Sequence, residues 1–292
     1  MRALVTGSRG QDGTYLTELL ELKGYTVVGV DRGDCDLSDV AAVETLLRDA
    51  APREVYNLAA ATFVPASWND PAAALSAGVT SGVLLAAIAR VDREIRFFQA
   101  SSAEVFGVPD DVPQNEGTPY RPGSPYAAGK ACADHLVAAY RAAKGLHASS
   151  GILFNHESPL RAAHFLPAKV AQGVKAIASG RADELVLGDL EARRDWGWAP
   201  DYVRAMWLML QQGDPGDYVI ATGEAHSVRE LVELAFAHVG LDWQQYVRVD
   251  PGLVRGDDRV LVGDASKARD RLGWSPSVTF EQLVQLLVDA VA

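Results

Sequence analysis

The sequence predicts an α/β fold, a doubly wound parallel sheet with a smaller C-terminal lobe. Three observations carry the prediction. Short apolar runs alternate with helical stretches through the first 155 residues. The first of these runs ends in a glycine-rich turn that opens a helix. After Asn155 the alternation stops, and Gly and Pro become frequent. A chain of 292 residues can form one large domain or two smaller ones.

Residues 2–6 read as a buried strand. Residues 14–23 follow as a helix, with leucines at 16, 19, 20 and 22 on the side facing the sheet, and Gly24 ends it. Residues 26–30 form the second strand, and 40–49 a helix capped by Ser38 or Asp39. Strands are expected at 54–60, 95–102 and 148–155, and helices at 72–90 and 126–144. Beyond 155, helices near 168–179 and 227–239 and strands near 184–187 and 218–221 are readable. The expected division is residues 1–155, with returning segments near 196–222, and an interleaved lobe at 156–292.

Composition narrows the function. With 27 Lys and Arg against 38 Asp and Glu, the net charge is −11. A broad basic face for nucleic acid is excluded, so an anionic ligand must be held by local cations or backbone N–H groups. Two cysteines, Cys35 and Cys132, are too few for a disulfide framework or a cysteine-built zinc site. No signal peptide is readable, and no apolar run reaches ~18 residues, so neither secretion nor a membrane span is expected. A cytoplasmic enzyme or binding protein remains.

The turn Gly7-Ser8-Arg9-Gly10-Gln11-Asp12-Gly13 lies between the first strand and helix. Glycines there permit a tight turn and let the backbone approach a pyrophosphate at the helix N-terminus. This points to a Rossmann-type dinucleotide site. Asp31 and Arg32 end strand two, where an Asp favours the ribose hydroxyl of NAD and an Arg the phosphate of NADP. With Arg9 adding a second cation, we expect NADP and an Asp31 that turns outward; NAD stays open. Tyr126 and Lys130 stand four apart on a helix, so phenol and ammonium share a face. The ammonium is expected to lower the phenol pKa, making Tyr126 a base. Ser102 and Glu104, at the end of the 95–102 strand, would point the same way on extended backbone. Their plain alternative is a strand-ending cap and a solvated glutamate.

Together these motifs resemble the extended short-chain dehydrogenase/reductase family. The segments Phe154 to Pro159 (FNHESP), Arg193 to Gly197 (RRDWG), Asp201-Tyr202-Val203 and Ala221 to Glu224 resemble its GDP-mannose 4,6-dehydratase branch. So do Ser124-Pro125-Tyr126 and the glycine turn. The resemblance implies that Tyr126 is the base at the sugar O4, with Lys130 on the nicotinamide ribose and Ser102 near O4. Glu104 would take the C5 proton and release water from C6. Asp36 and Leu37 match the pair beside the adenine; Leu58, Ala59, Ala60 and Thr62 match the loop along the cofactor. His156 and Arg161 match further cofactor contacts. Asn155, Lys169, Arg194 and Arg255 match positions around the sugar and diphosphate. The family also implies a homodimer paired through two long helices.

Some positions depart from that pattern. The segment after strand two is short, so the family's third strand is expected to be missing. Ala61 stands where Gln is common, Ala168 where Arg is, and Asp189 where Asn is. A reductase or epimerase of nucleotide sugars needs Tyr126 and Lys130 but no acid/base at C5. It is the alternative, followed by a non-catalytic nucleotide-sugar-binding relative. Gly129-Lys130 lacks the following Ser or Thr of a phosphate loop, and the six histidines show no metal spacing.

Overall fold

A computed structural model describes residues 1–253 and 260–291. Six parallel strands form the sheet: β1 (Arg2–Thr6), β2 (Thr26–Val30), β3 (Glu54–Asn57), β4 (Arg96–Ala100), β5 (Ala148–Leu153) and a returning strand, Tyr218–Ile220. Their order across the sheet, starting from one edge, is β2, β1, β3, β4, β5 and the returning strand. The chain crosses over between β1 and β3, and ligands of such sheets bind beyond the strand ends at that switch point.

Helices α1 (Gln11–Leu22), α2 (Val40–Ala50), α3 (Pro71–Val91) and α4 (Pro125–Lys144) connect the strands. On one face Leu16 and Leu20 of α1 join Met206, Met209 and Trp274 in a fully apolar core. On the other, Leu47, Leu84, Ile88 and Val137 cover the sheet from α2, α3 and α4. Packing both faces this way buries every residue of β3 and β5, polar ones included.

The strands are shorter than the sequence suggests. β3 stops at Asn57 because the Leu58 and Ala59 N–H groups turn to the Thr6 hydroxyl, at 3.2 and 3.3 Å. β4 stops at Ala100, where the chain turns into a 3₁₀ segment, Ala103–Phe106. After Leu153 the chain leaves the main sheet, and β6 (Asn155–Glu157) pairs instead with Trp196–Trp198. The missing third strand is borne out: Gly33 and its neighbours form a turn between β2 and α2, so β2 is an edge.

The C-terminal elements are α5 (Leu166–Ala178), β7 (Leu185–Leu187), β8 (Arg193–Arg194), β9 (Trp196–Trp198) and α6 (Ala199–Gln211). Then follow β10 (Tyr218–Ile220), β11 (His226–Ser227), α7 (Val228–His238), β12 (Val247–Val249), α8 (Ser266–Leu272) and α9 (Phe280–Asp289). Helices α5, α7 and α9 build a second core around Val174, Phe236 and Leu287. Helix α6 escapes the sequence reading because Pro200 looks like a breaker. Proline is compatible with the first turn, where no intrahelical N–H is needed.

Helix α3 has 21 residues and an 18-residue window of mean hydropathy 1.9, long and apolar enough to cross a membrane by length and composition alone. Here it packs between α2 and α4, with Leu84, Leu85 and Ile88 fully buried.

Candidate active site

The glycine turn is built for close backbone approach. Gly7 has φ +70°, and its N–H donates to the Val30 carbonyl at 2.8 Å. A Cβ on Gly13 would lie 2.2 Å from the Gly7 carbonyl oxygen, so this position requires glycine. Gly10 caps α1 with no side chain over the first-turn amides. This cradle fits the pyrophosphate of a dinucleotide, which would meet these amides and the positive end of the helix dipole.

Asp31 does not turn outward. Its carboxylate accepts from the Ser8 hydroxyl at 2.7 Å and from the Arg9 N–H at 3.4 Å. The Arg9 guanidinium lies 3.5 Å from the same group with its side chain 82% exposed, and Arg32 is exposed next door. The hydroxyl directly below the strand end recruits the carboxylate, which the sequence spacing does not reveal. Asp36 accepts from the Ser38 N–H and hydroxyl, closing a turn, while Leu37 packs on the α2 side of the core.

The FNHESP segment locks onto this turn. Gln11 donates to the His156 carbonyl at 3.1 Å and accepts from the Ser158 hydroxyl at 2.9 Å. His156 Nε2 meets Asp12 at 3.0 Å, its Nδ1 meets the Phe154 carbonyl at 2.7 Å, and its ring stacks on Tyr202. Burial alone would lower the His156 pKa, but the Asp12 charge and hydrogen bonds push it up. Arg161 lies 3.2 Å from the buried Glu157 and stacks over Phe165.

Tyr126 and Lys130 are buried on α4, whose N-cap Ser124 accepts from the Ala127 N–H. The Tyr126 phenol is pushed up to about 12 by burial, with the Ser102 hydroxyl working against this. The expected lowering by Lys130 is overturned. The ammonium donates to the Ala100 carbonyl at 2.7 Å and lies 5.8 Å from the phenol ring centroid. Burial pushes Lys130 itself down to about 8. Ser102 and Glu104 are not on one extended run either. Ser102 caps the 3₁₀ segment, its hydroxyl accepting from the Glu104 N–H at 3.3 Å. That turn carries Glu104 to the wall of a cavity of about 500 Å³.

Thr62, Asn155, Lys169 and Arg194 line the same cavity. Lys169 also donates to the Val186 carbonyl at 2.8 Å. Ser102, Tyr126 and Lys130 do not line it, and Arg255 lies outside the described residues. Leu58, Ala59 and Ala60 follow the end of β3, and the Gly7 backbone packs against Ala59. The sequence reading missed Phe63, His164 and Phe165, an edge-to-face aromatic cluster on the cavity wall. An aromatic set drawn from two distant loops leaves no local spacing to read. Among the described residues no cluster of His, Cys, Asp or Glu could hold a metal ion.

The family model for GDP-mannose 4,6 dehydratase matches residues 33–287. The chain belongs to the GDP-mannose 4,6-dehydratase family. It is 43% identical to GDP-mannose 4,6 dehydratase 1 of Arabidopsis thaliana, over 98% of this chain and 88% of that protein. It is 38% identical to the Homo sapiens GDP-mannose 4,6 dehydratase, over 99% of this chain and 90% of that protein. Among solved structures, RMD from Pseudomonas aeruginosa complexed with NADPH superposes with a TM-score of 0.90 at 26% identity, covering 99% of this chain and 98% of that one. The Thermus thermophilus UDP-glucose 4-epimerase complex with NAD gives 0.86 at 28%, with the same coverage. In this family setting the RRDWG and ATGE segments acquire a structural reason. The buried Asp195 accepts from the Thr222 N–H and hydroxyl, the Gly223 N–H and the Gly263 N–H.

Proposed function

We propose that this GDP-mannose 4,6-dehydratase family member converts GDP-mannose to GDP-4-keto-6-deoxy-mannose with a bound NADP. The observation that carries the reading is the place of Glu104. It stands on the cavity wall, two residues past Ser102, and its charge is felt at Tyr126. A carboxylate there supplies the acid/base function that water loss needs and simple carbonyl reduction does not.

The glycine turn, with Gly7, Gly10 and Gly13, would hold the cofactor diphosphate. Arg9 and Arg32 would meet the 2′-phosphate, since Asp31 is committed to Ser8 and its charge is offset by Arg9. Asp36 and Leu37 would flank the adenine, residues 58–62 the cofactor's length, and His156 and Arg161 its nicotinamide end. Residues 1–155, with the return near 196–222, form the cofactor-binding part, and 156–292 the substrate lobe.

When bound, the cofactor supplies the acceptor for the C4 hydride and returns that hydride at C6. Tyr126 accepts the O4 proton as C4 becomes a ketone. The ketone acidifies C5, and Glu104 removes that proton and delivers it to the departing C6 hydroxyl as water. The proton collected by Tyr126 balances the one C5 regains. Ser102 orients O4, Lys130 holds the ribose, and Asn155, Lys169, Arg194 and Arg255 receive the sugar and diphosphate. Two unpaired thiols, Cys35 and Cys132, fit a reducing cytoplasm. The outward face of α3, with Leu75 and Val79 about half exposed, is proposed as the homodimer contact together with α4.

The test is mass spectrometry of GDP-mannose incubated with the protein and catalytic NADP, beside Glu104→Gln. Loss of one water in the wild type alone supports the reading. No water loss at any enzyme concentration refutes it and directs attention to a reductase or epimerase assay on other nucleotide sugars.

A further inference from the structure

Successive residues at the end of β4 are tied to α4 by side-chain hydrogen bonds, and the next residue, Ser102, acts on the Tyr126 phenol electrostatically. The Ala100 carbonyl accepts from the Lys130 ammonium at 2.7 Å. Between them, the Ser101 hydroxyl donates to Asp134 Oδ2. Positions 126, 130 and 134 are spaced four apart and lie on one helix face. The Ser101 N–H is also fixed to the Gly151 carbonyl at 2.9 Å, so this rung is anchored to β5 as well.

We infer that Asp134 is a positioning residue for the reacting groups. It fastens the middle rung joining β4 to α4, and its carboxylate steadies the charge of Lys130 one helical turn away. The inference rests on the roles proposed above for Tyr126 and Lys130. Asp134 itself is 5% exposed and does not line the substrate cavity.

The neighbourhood explains why a charge is retained there. Tyr120 donates to the same Oδ2 at 3.1 Å, adding a second hydroxyl. Behind Asp134 a separate hollow of about 340 Å³ is lined by Glu116, Tyr120, His135 and Asp217. Asp217 is engaged by both Arg141 nitrogens, at 2.9 and 2.6 Å, so its charge is largely spent there. Asp134 has no such guanidinium. Burial pushes its carboxyl up to about 6, which the Ser101 hydroxyl opposes. The acidic groups that face Lys130 are Asp134 on its own helix and Asp12 on α1, with the Tyr126 ring beside it. Both carboxylates act against the burial that would neutralise the ammonium. Removing the Asp134 charge therefore makes Lys130 lose its proton at lower pH, whereas removing the Ser101 hydroxyl loosens the rung but leaves the Asp134 carboxyl in place.

The experiment titrates Lys130 directly. The full chain has six lysines, so ¹³Cε-lysine labelling gives a short spectrum in which Lys130→Met identifies the resonance. The titration is followed in wild type, Asp134→Asn and Ser101→Ala, together with kcat and KM on GDP-mannose. The expected result is a Lys130 midpoint lowered by about one pH unit in Asp134→Asn and by clearly less in Ser101→Ala. Both variants should lose roughly tenfold in kcat with KM nearly unchanged, as geometry at the reacting centre is loosened. An unshifted midpoint in folded Asp134→Asn overturns the inference, leaving Asp134 a packing residue. If Asp134→Asn does not fold, Asp134→Glu takes its place. It should keep the wild-type midpoint and recover more activity than Ser101→Ala, and the reverse order overturns the inference. The titration needs no turnover, so a wild type that fails to dehydrate GDP-mannose refutes the proposed function alone.

Discussion

Lys130 donates to the carbonyl of Ala100, not to the phenol of Tyr126. The pair therefore shares a helix face without sharing a proton. With Tyr126 pushed up to about 12 and Lys130 down to about 8, the two groups titrate in the reverse of the usual expectation. In the free enzyme kcat/KM should rise roughly tenfold per pH unit as the phenolate fraction grows. The rise should bend over near 8 as the ammonium is lost. A pH profile of kcat/KM checks this, and in Lys130→Arg the bend should disappear.

In the proposed mechanism Glu104 acts after oxidation at C4, so its removal should separate the two halves of the reaction. In Glu104→Gln, dehydration should fall by about 10²–10⁴. Single-turnover absorbance should still show cofactor reduction by GDP-mannose. A loss of both signals together would place Glu104 in binding instead.

The glycine turn offers a paired test. Gly13→Ala puts a methyl 2.2 Å from the Gly7 carbonyl, and the loop must shift. Cofactor affinity should fall at least about tenfold, since a displaced turn misplaces every amide in the cradle. Gly33, by contrast, has nothing within 4 Å of an added Cβ. Gly33→Ala should leave affinity intact and stability within about 0.5 kcal/mol. Calorimetric titration with NADP reads the first effect, and urea unfolding the second.

Asp195 gathers four donors from two loops. Truncation to Ala removes the acceptor of three N–H groups, the Gly263 N–H among them buried. The expected cost is about 4 kcal/mol in urea unfolding, with Asp195→Asn costing less because one acceptor oxygen survives.

The His156–Asp12 pair makes stability depend on pH. His156 is raised above its usual 6.5, so its contribution is full below that value and is lost as pH rises through the raised one. Asp12 is held below 3.8, because the His156 charge and hydrogen bonds outweigh its burial. Its contribution is present above 3.8 and is lost as pH falls through the lowered value. The pair should therefore stabilise most between those limits, and His156→Gln should flatten that maximum in thermal melts taken across pH.

Much of this was legible in the chain. The strand rhythm and the Gly7 to Gly13 turn announced the sheet and its nucleotide cradle, because both depend on local periodicity and backbone freedom. Tyr126 and Lys130 were legible for the same reason: a helix face is a spacing. The direction of the Tyr126 pKa was not, because burial depends on everything packed around the phenol. Nor was the hold of Ser8 on Asp31, which joins residues 23 apart through the pairing of two strands. Helix α6 was hidden by a proline that reads as a breaker and acts as a first-turn residue. Asp195 was visible only as part of a motif; its partners lie 27 to 68 residues away, and only the fold brings them to one carboxylate.

The turn between β2 and α2 leaves β2 on the rim of the sheet. A sheet gains or loses strands most cheaply at its rim, since only one neighbour is affected. The short turn after β2 leaves all six strands of the sheet paired. The same place is open to a gain. A strand-forming insert between Asp31 and Asp39 would dock on the free side of β2, beside Arg9 and Arg32, and could remodel coenzyme preference while the chemistry at Glu104 is left alone. The rim is also the stretch of backbone where a foreign extended chain could add itself, and the charged residues crowded there, Arg32, Asp34 and Asp36, guard against such pairing.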